Sequence, residues 1–263
     1  MKVVFTGTGT SQGVPVIGCN CAVCTSGDPR DKRLRTSVYV EMDNGHNISI
    51  DSGPDFRQQM LQTRVRELHG VLFTHEHKDH IAGMDDVRSF NFLMKRKVDI
   101  MASAAVEKAL RREFYYVFEE DPYPGVPQIN LIPITSQPFD YFGQRIVPIE
   151  VMHHRMPVLG FRIDDFTYIT DANYISDEEK EKAYGSEVLV LNALRKQKHI
   201  SHFNLEEAIA LVQELKPKKA YFTHISHLMG KHEEVAAELP ENVELAYDGL
   251  ELYLSQGSKR PSL

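Results

Sequence analysis

His75-Glu76-His77-Lys78-Asp79-His80 gathers three imidazoles and the carboxylate of Asp79 within six residues. Imidazole and carboxylate are the usual ligands of zinc and similar divalent metals. The four groups are too crowded to serve one ion and suit two ions side by side, an arrangement for metal-assisted hydrolysis. Such a pair needs more donors, and polar residues that end apolar runs offer them. His153 and His154 follow Ile149–Met152, Asp171 ends Tyr168-Ile169-Thr170, and His224 follows Ala220–Thr223. Each of these alone is as readily a loop residue as a ligand. Together with the first cluster they complete two ions.

The chain's three cysteines, Cys19, Cys21 and Cys24, also lie within six residues. An odd, clustered set is a poor disulfide framework and a good metal clip. Structural zinc takes four ligands, and His227, three residues after His224, is the best fourth. The closed site would pin the glycine-rich stretch Gly7–Gly13 to the catalytic floor. That stretch lacks the Gly-Lys-Ser/Thr ending of a phosphate-binding P-loop. Arg33 and Arg35 could meet a substrate phosphate, although such a run is more often a solvated face. His199 and His202 are two candidates for a proton donor near neutral pH.

Strand-like runs deliver these groups. Val3–Thr6, Ser37–Glu41, Asn47–Ile50 and Gly70–Thr74 read as strands, with a hairpin turn at Asp43-Asn44-Gly45. Further strands are expected at Ile149–Met152, Gly160–Ile163, Phe166–Thr170, Glu187–Leu191, Ala220–Thr223 and Val243–Leu254. Helical spacing marks Asp55–Glu67, Ile81–Lys97 and Val106–Phe118. Asn204 with Glu207 three residues on reads as a capping box opening a helix to Leu215. Strands followed by mixed strands and helices, repeated once, predict a layered α/β sandwich rather than a doubly wound sheet.

The 263 residues carry 42% hydrophobic and 25% charged side chains, the composition of a soluble globular protein. No linker or low-complexity segment divides them, so one domain over 1–263 is expected. The net charge of −7, from 37 acids and 30 bases, disfavours nucleic acid as an obligate partner. No run approaches the roughly 20 apolar residues of a membrane span, and the start lacks a signal peptide. A cytoplasmic protein without a membrane partner is expected. Oligomeric state is open, a homodimer included.

In order and over nearly the whole chain, His75-x-His77-x-Asp79-His80, His153, Asp171 and His224 resemble the ligand set of the metallo-β-lactamase superfamily. The resemblance implies a four-layer αββα sandwich. It implies one ion on His75, His77 and His153, and another on Asp79, His80 and His224, with Asp171 bridging. His153 is preferred to His154 by its distance from Gly160-Phe161-Arg162. Asp51, in Ile-Asp-Ser-Gly, matches an acidic motif that supports the metal loop. Two divalent ions and two aspartates leave a site of about +2, which attracts an anion and a bridging hydroxide.

Gly-Thr-Gly-Thr-Ser-Gln-Gly-Val-Pro, the cysteine loop and Thr-His-Ile-Ser-His resemble the PhnP-type branch, phosphodiesterases acting on a 1,2-cyclic phosphate of phosphoribose and related to tRNase Z. The resemblance implies hydrolysis of a small phosphodiester, two active-site ions (Zn or Mn) and one structural Zn on Cys19, Cys21, Cys24 and His227. It selects His202 over His199 as general acid, and Asp79 is counted with it among the catalytic residues. Alternatives are tRNA 3′-processing and the thioesterase or lactamase chemistries that share the metal core. A non-catalytic metal-binding scaffold has no need of an open two-metal site.

Overall fold

A computed structural model describes residues 1–254. Along Lys2–Gly7 (β1), Val3 and Phe5 join one apolar cluster and Val4 another, the division that a strand's period of two imposes. Strand β1 pairs antiparallel with Ser37–Glu41 (β2), and β2 with Asn47–Ile50 (β3). Gly45, at φ 81, makes the turn between β2 and β3. Gly70–Leu72 (β4), Val98–Ala102 (β5) and Ile129–Pro133 (β6) extend this sheet in parallel.

The second sheet is built from Phe139–Tyr141 (β7), the long hairpin Gln144–His153 (β8) and Met156–Ile163 (β9), Phe166–Ile169 (β10), Tyr174–Ile175 (β11), Val188–Asn192 (β12), Lys219–Thr223 (β13) and Val243–Leu245 (β14). Strands β10, β12, β13 and β14 run parallel. Glu251–Tyr253 (β15) returns to the first sheet beside β1.

Three apolar layers hold the sandwich. Val3, Phe5, Val38, Ile48 and Ile50 of the first sheet meet Ile146, Phe161, Phe166, Tyr168 and Val190 of the second in a shared core. The outer face of the first sheet packs on helices Phe56–Thr63 (α1), Lys78–Ile81 (α2), Arg88–Met94 (α3) and Ala104–Glu113 (α4) through Phe56, Ile81, Phe90 and Leu110. The outer face of the second packs on Asp177–Ala183 (α5), Leu205–Leu215 (α6) and His232–Ala236 (α7) through Ala183, Leu211, Leu215 and Val235. This is the αββα architecture expected from the sequence. The capping box at Asn204 is present with both of its hydrogen bonds.

Four expected elements differ. The helix expected over Val106–Phe118 ends at Glu113, and Tyr115–Val117 follows as a separate 3-10 turn. The helix expected to reach Glu67 stops at Thr63. Arg64 turns left-handed there, and the chain then returns to the sheet, where the His69 N–H donates to Asn47 O at 2.8 Å. The helix expected over Ile81–Lys97 is broken at Gly83, whose N–H donates to Ser52 O at 2.8 Å and leaves the helical ladder. The run Val243–Leu254 forms two strands in different sheets. Ala246 N–H binds Phe222 O on one side and Gly249 N–H binds Phe5 O on the other, with Gly249 at φ 88 making the turn. Apolar alternation is identical for one strand and for two strands that change sheets, so the pattern alone cannot separate them.

Candidate metal centres

The parallel strands β3, β10 and β13 end in a polar residue with left-handed backbone: Asp51 at φ 64, Asp171 at φ 54 and His224 at φ 56. Non-glycine residues hold such angles only where the surroundings enforce them. Each turn aims a carboxylate or imidazole at one end of the sandwich. There β4 runs on through Thr74 into the histidine cluster, and β8 ends at His153.

Asp171 stands at the centre. It is 2% exposed, and its carboxylate lies 3.4 Å from His75 Nε2, 3.3 Å from His80 Nε2 and 3.0 Å from His224 Nε2. Donor atoms of Asp79, His80, Asp171 and His224 all fall within 4.8 Å of one another, as do those of His75, His77 and Asp171. His75 Nε2 and His77 Nδ1 are 3.1 Å apart. The His153 ring lies 5.2 Å from that of His77 and 5.9 Å from that of His75. The structure therefore brings together all seven residues expected to form the pair of sites. His154 is exposed at the hairpin tip.

Backbone and side-chain partners determine which nitrogen each ring presents. Asp51 accepts from His80 Nδ1 at 2.7 Å and from Thr74 N and Oγ1 at 2.9 Å. The Thr74 hydroxyl, spent on Asp51, accepts from His75 Nδ1 at 2.9 Å. His153 Nδ1 donates to Ser201 O at 2.8 Å. In all three rings Nδ1 is tied off and Nε2 faces the site, the orientation a metal ligand needs.

A cation fits this arrangement. His80 Nε2 and both nitrogens of His224 are buried without a hydrogen-bond partner, a costly state unless something binds them. Ligands at about 2.1 Å on a tetrahedral ion stand about 3.4 Å apart, and the donor separations around Asp171 run from 3.0 to 3.4 Å. Burial would raise the Asp171 carboxyl, but the imidazoles of His224 and His80 overcome it and hold it well below the usual range. Burial would lower His80, yet Asp171, Asp51 and Asp79 raise it well above a free histidine. Three carboxylates around one ring are a mould for positive charge. Burial pushes His75 down to about 4, which favours the neutral ring.

His202 lies against this cluster, its ring 4.5 Å from that of His153 and 4.8 Å from that of His224. Its Nδ1 is buried and unpartnered. Burial, with His224 next, pushes it down to about 2. His199 is one ring further out, 5.2 Å from His202, with Nδ1 beside the Ser201 hydroxyl.

The cysteine loop forms a separate centre. Cys19, Cys21 and Cys24 place Sγ at 3.4, 3.4 and 3.6 Å from His227 Nδ1. Sulfur at about 2.3 Å and nitrogen at about 2.1 Å from a tetrahedral ion would stand about 3.6 Å apart. The Cys24 backbone N–H and His227 lower the Cys21 thiol to about 6, while burial pushes Cys24 up to about 11.

Arg33 and Arg35 prove to differ. Arg33 is buried, donating to Thr8 Oγ1 and Ala246 O. Arg35 is paired with Asp55 at 3.0 Å. Sequence reasoning missed Thr74 and Asn192. Asn192 clamps the turn after Asp171 by exchanging hydrogen bonds with Ala172 at 2.9 and 3.0 Å. Its signal was a buried amide ending the apolar run Val-Leu-Val-Leu.

Comparison with known proteins fits this geometry. A family model described as a beta-lactamase superfamily domain matches residues 46–225. A diphosphatase from the PhnP family, known by its crystal structure, superposes with a TM-score of 0.90 at 38% identity, covering 97% of this chain and 98% of that one. Zn(2+)-bound PqqB from Methylobacterium extorquens superposes at 0.77 with 21% identity, covering 97% and 100%, a likeness of fold. An octanoyltransferase of Porphyromonas gingivalis is 38% identical over 258 residues, 97% of this chain. The chain spans about half of that relative, 52% of its length.

Proposed function

The chain belongs to the beta-lactamase superfamily as a metal-dependent hydrolase, and from that premise we propose that it is a dinuclear phosphodiesterase of the PhnP-type branch, acting on a small, possibly cyclic, phosphodiester. The observation that carries the reading is Asp171, one carboxylate shared by the two donor groups of His75 and His77 and of Asp79, His80 and His224. His153, whose donor atom groups with those of Asp171 and His202 and whose ring lies 5.2 Å from that of His77, would complete the first group. Two divalent cations, Zn or Mn, held there would supply Lewis-acid polarisation of a phosphoryl oxygen and would lower the pKa of water. Cys19, Cys21, Cys24 and His227 hold a structural zinc that keeps the glycine-rich loop beside His224, where Thr10 N–H donates to Ile225 O at 3.1 Å.

The side chains divide the remaining work. Thr74, Asp51 and Ser201 hold the imidazoles in one tautomer. His202, with Nδ1 sealed from solvent, has Nε2 left to pass a proton to the departing alkoxide oxygen. His153 and His224 fix its ring from two sides. A phosphodiester suits the cationic seat better than a neutral amide. One hydrolase unit over the whole chain, working on a small molecule in the cytoplasm, is part of this reading. Clustered thiols facing one imidazole accord with a reducing compartment.

A second reading, thioester hydrolysis, draws on the octanoyltransferase relative, whose name denotes acyl transfer. A screen of bis-aryl phosphodiesters, cyclic phosphates, acyl thioesters and pre-tRNA, with a metal count, separates them. Phosphodiester turnover with three metals per chain is expected. Turnover of thioesters alone would replace the first reading by the second.

A further inference from the structure

Asp171 has two carboxylate oxygens, and the structure puts them to different uses. Oδ2 lies 3.4 Å from His75 Nε2 and 3.3 Å from His80 Nε2. It therefore stands one ligand-to-ligand step, about 3.4 Å, from a member of each donor group. Oδ1 lies 3.0 Å from His224 Nε2 and accepts from Thr170 Oγ1 at 2.8 Å. The oxygen that borders both groups is Oδ2. Oδ1 is turned to one group and is held by a hydroxyl.

Thr170 is a partner from outside the ligand set. It follows Tyr168 and Ile169 at the end of β10 and is fully buried. Side chains of successive strand residues point to opposite faces, so a threonine and the aspartate after it do not ordinarily meet. The left-handed backbone of Asp171, at φ 54, ends that alternation and brings hydroxyl and carboxylate together. A threonine hydroxyl has one proton to give, and here it goes to Oδ1. On the other side Asn192 holds Ala172 by both its N–H and its carbonyl. With the backbone fixed, the carboxylate keeps rotation about its last bond, and the Thr170 hydroxyl opposes that rotation.

This rotation bears on the spacing of two ions. One oxygen about 2.1 Å from each ion keeps them within about 4.2 Å of each other. Two-metal hydrolytic sites work at about 3.5–4 Å. A carboxylate that swings so that each oxygen takes one ion sets no such ceiling.

We propose that Thr170 is a positioning residue: by donating to Oδ1 it keeps Asp171 bridging through Oδ2 alone, and so fixes the spacing of the ion pair. The inference rests on the dinuclear reading of the site. The role differs from that of Thr74, whose hydroxyl orients an imidazole.

The test compares variants that differ by the hydroxyl: wild type against T170V, and T170S against T170A. The full chain is used, with zinc on the cysteine loop and Mn(II) as the probe of the Asp171 cluster. In chelator competition the Kd of the more weakly held cluster ion should rise about tenfold in T170V and T170A, and stay within about threefold of wild type in T170S. Electron paramagnetic resonance should show an exchange-coupled Mn(II) pair in wild type and T170S, with the coupling weakened in T170V and T170A. Zinc retained on the cysteine loop reports that each variant is folded, and if T170V fails that check the serine–alanine pair decides. Wild-type affinity and coupling in the folded variants that lack the hydroxyl would overturn the role, as would a T170S protein impaired as much as T170A. A wild-type chain that holds a single ion at the cluster would overturn the dinuclear reading and this inference with it, whereas two ions held equally well with and without the hydroxyl would overturn the inference alone.

Discussion

Thr74 and Asp51 decide, without touching a metal position themselves, which nitrogens His75 and His80 present. Asp51→Asn keeps the size but replaces one acceptor oxygen by a donor, so the His80 Nδ1–H or the Thr74 hydroxyl loses its partner. Loss of such supporting carboxylates weakens metal affinity about 10–100-fold. A chelator competition on D51N should read that loss, and unchanged affinity would mean that the ring needs no support. His202→Ala removes the proposed proton donor while every ligand of both donor groups is retained. Turnover should fall by about 10²–10⁴ with the metal count unchanged. A variant with normal kcat would take His202 out of the mechanism, leaving His199 as the next candidate.

The strand ends and the short helix α2 are held together by glycine contacts. A Cβ on Gly53 would stand 2.1 Å from Asp79 O, and one on Gly83 would stand 2.2 Å from Gly53 O. Both obstacles are backbone, so no rotamer relieves them. Gly53→Ala must push α2 away from β3, shifting Asp79 and His80 against Asp171. A cost of about 1–3 kcal/mol, typical of overpacking, is expected in denaturant unfolding, together with loss of metal from the Asp79 side. A G53A protein of unchanged stability and full metal content would show that the β3–α2 contact yields easily. The same contact explains why a helix begun at Lys78 cannot continue to Lys97: the turn at Gly83 is committed to Ser52 O.

Across the molecule, the N-terminal loop and the C-terminal half are coupled near the catalytic floor. Gly9 bridges both Arg35 and Ile225, and Ile225 N–H donates to Thr8 O at 2.9 Å. His227→Ala should remove about one zinc per chain and lower the melting temperature, while the cluster around Asp171 keeps its metal. Metal analysis with a melting curve checks this, and full zinc content in H227A would refute a Cys₃His site. Among the described residues no helix is long and apolar enough to cross a membrane, which agrees with the absence of long apolar runs.

The candidate donor residues, their order and the strand that precedes each were legible in the amino-acid sequence. Metal-binding side chains are chemically distinctive, and a strand's period of two survives in one dimension. Two successive strand-then-helix blocks indicated a layered α/β sandwich, and the αββα order was what the family resemblance implied. Tertiary structure alone decided the choice of nitrogen on each imidazole, the left-handed turns at Asp51, Asp171 and His224, and the split of Val243–Leu254 between two sheets. Several of these depend on partners 20 or more residues away in the chain, such as Asp51 with His80 and Asn192 with Ala172, and the Thr74 hydroxyl that meets the adjacent His75 is itself held by Asp51. Local propensity carries no record of such distant contacts.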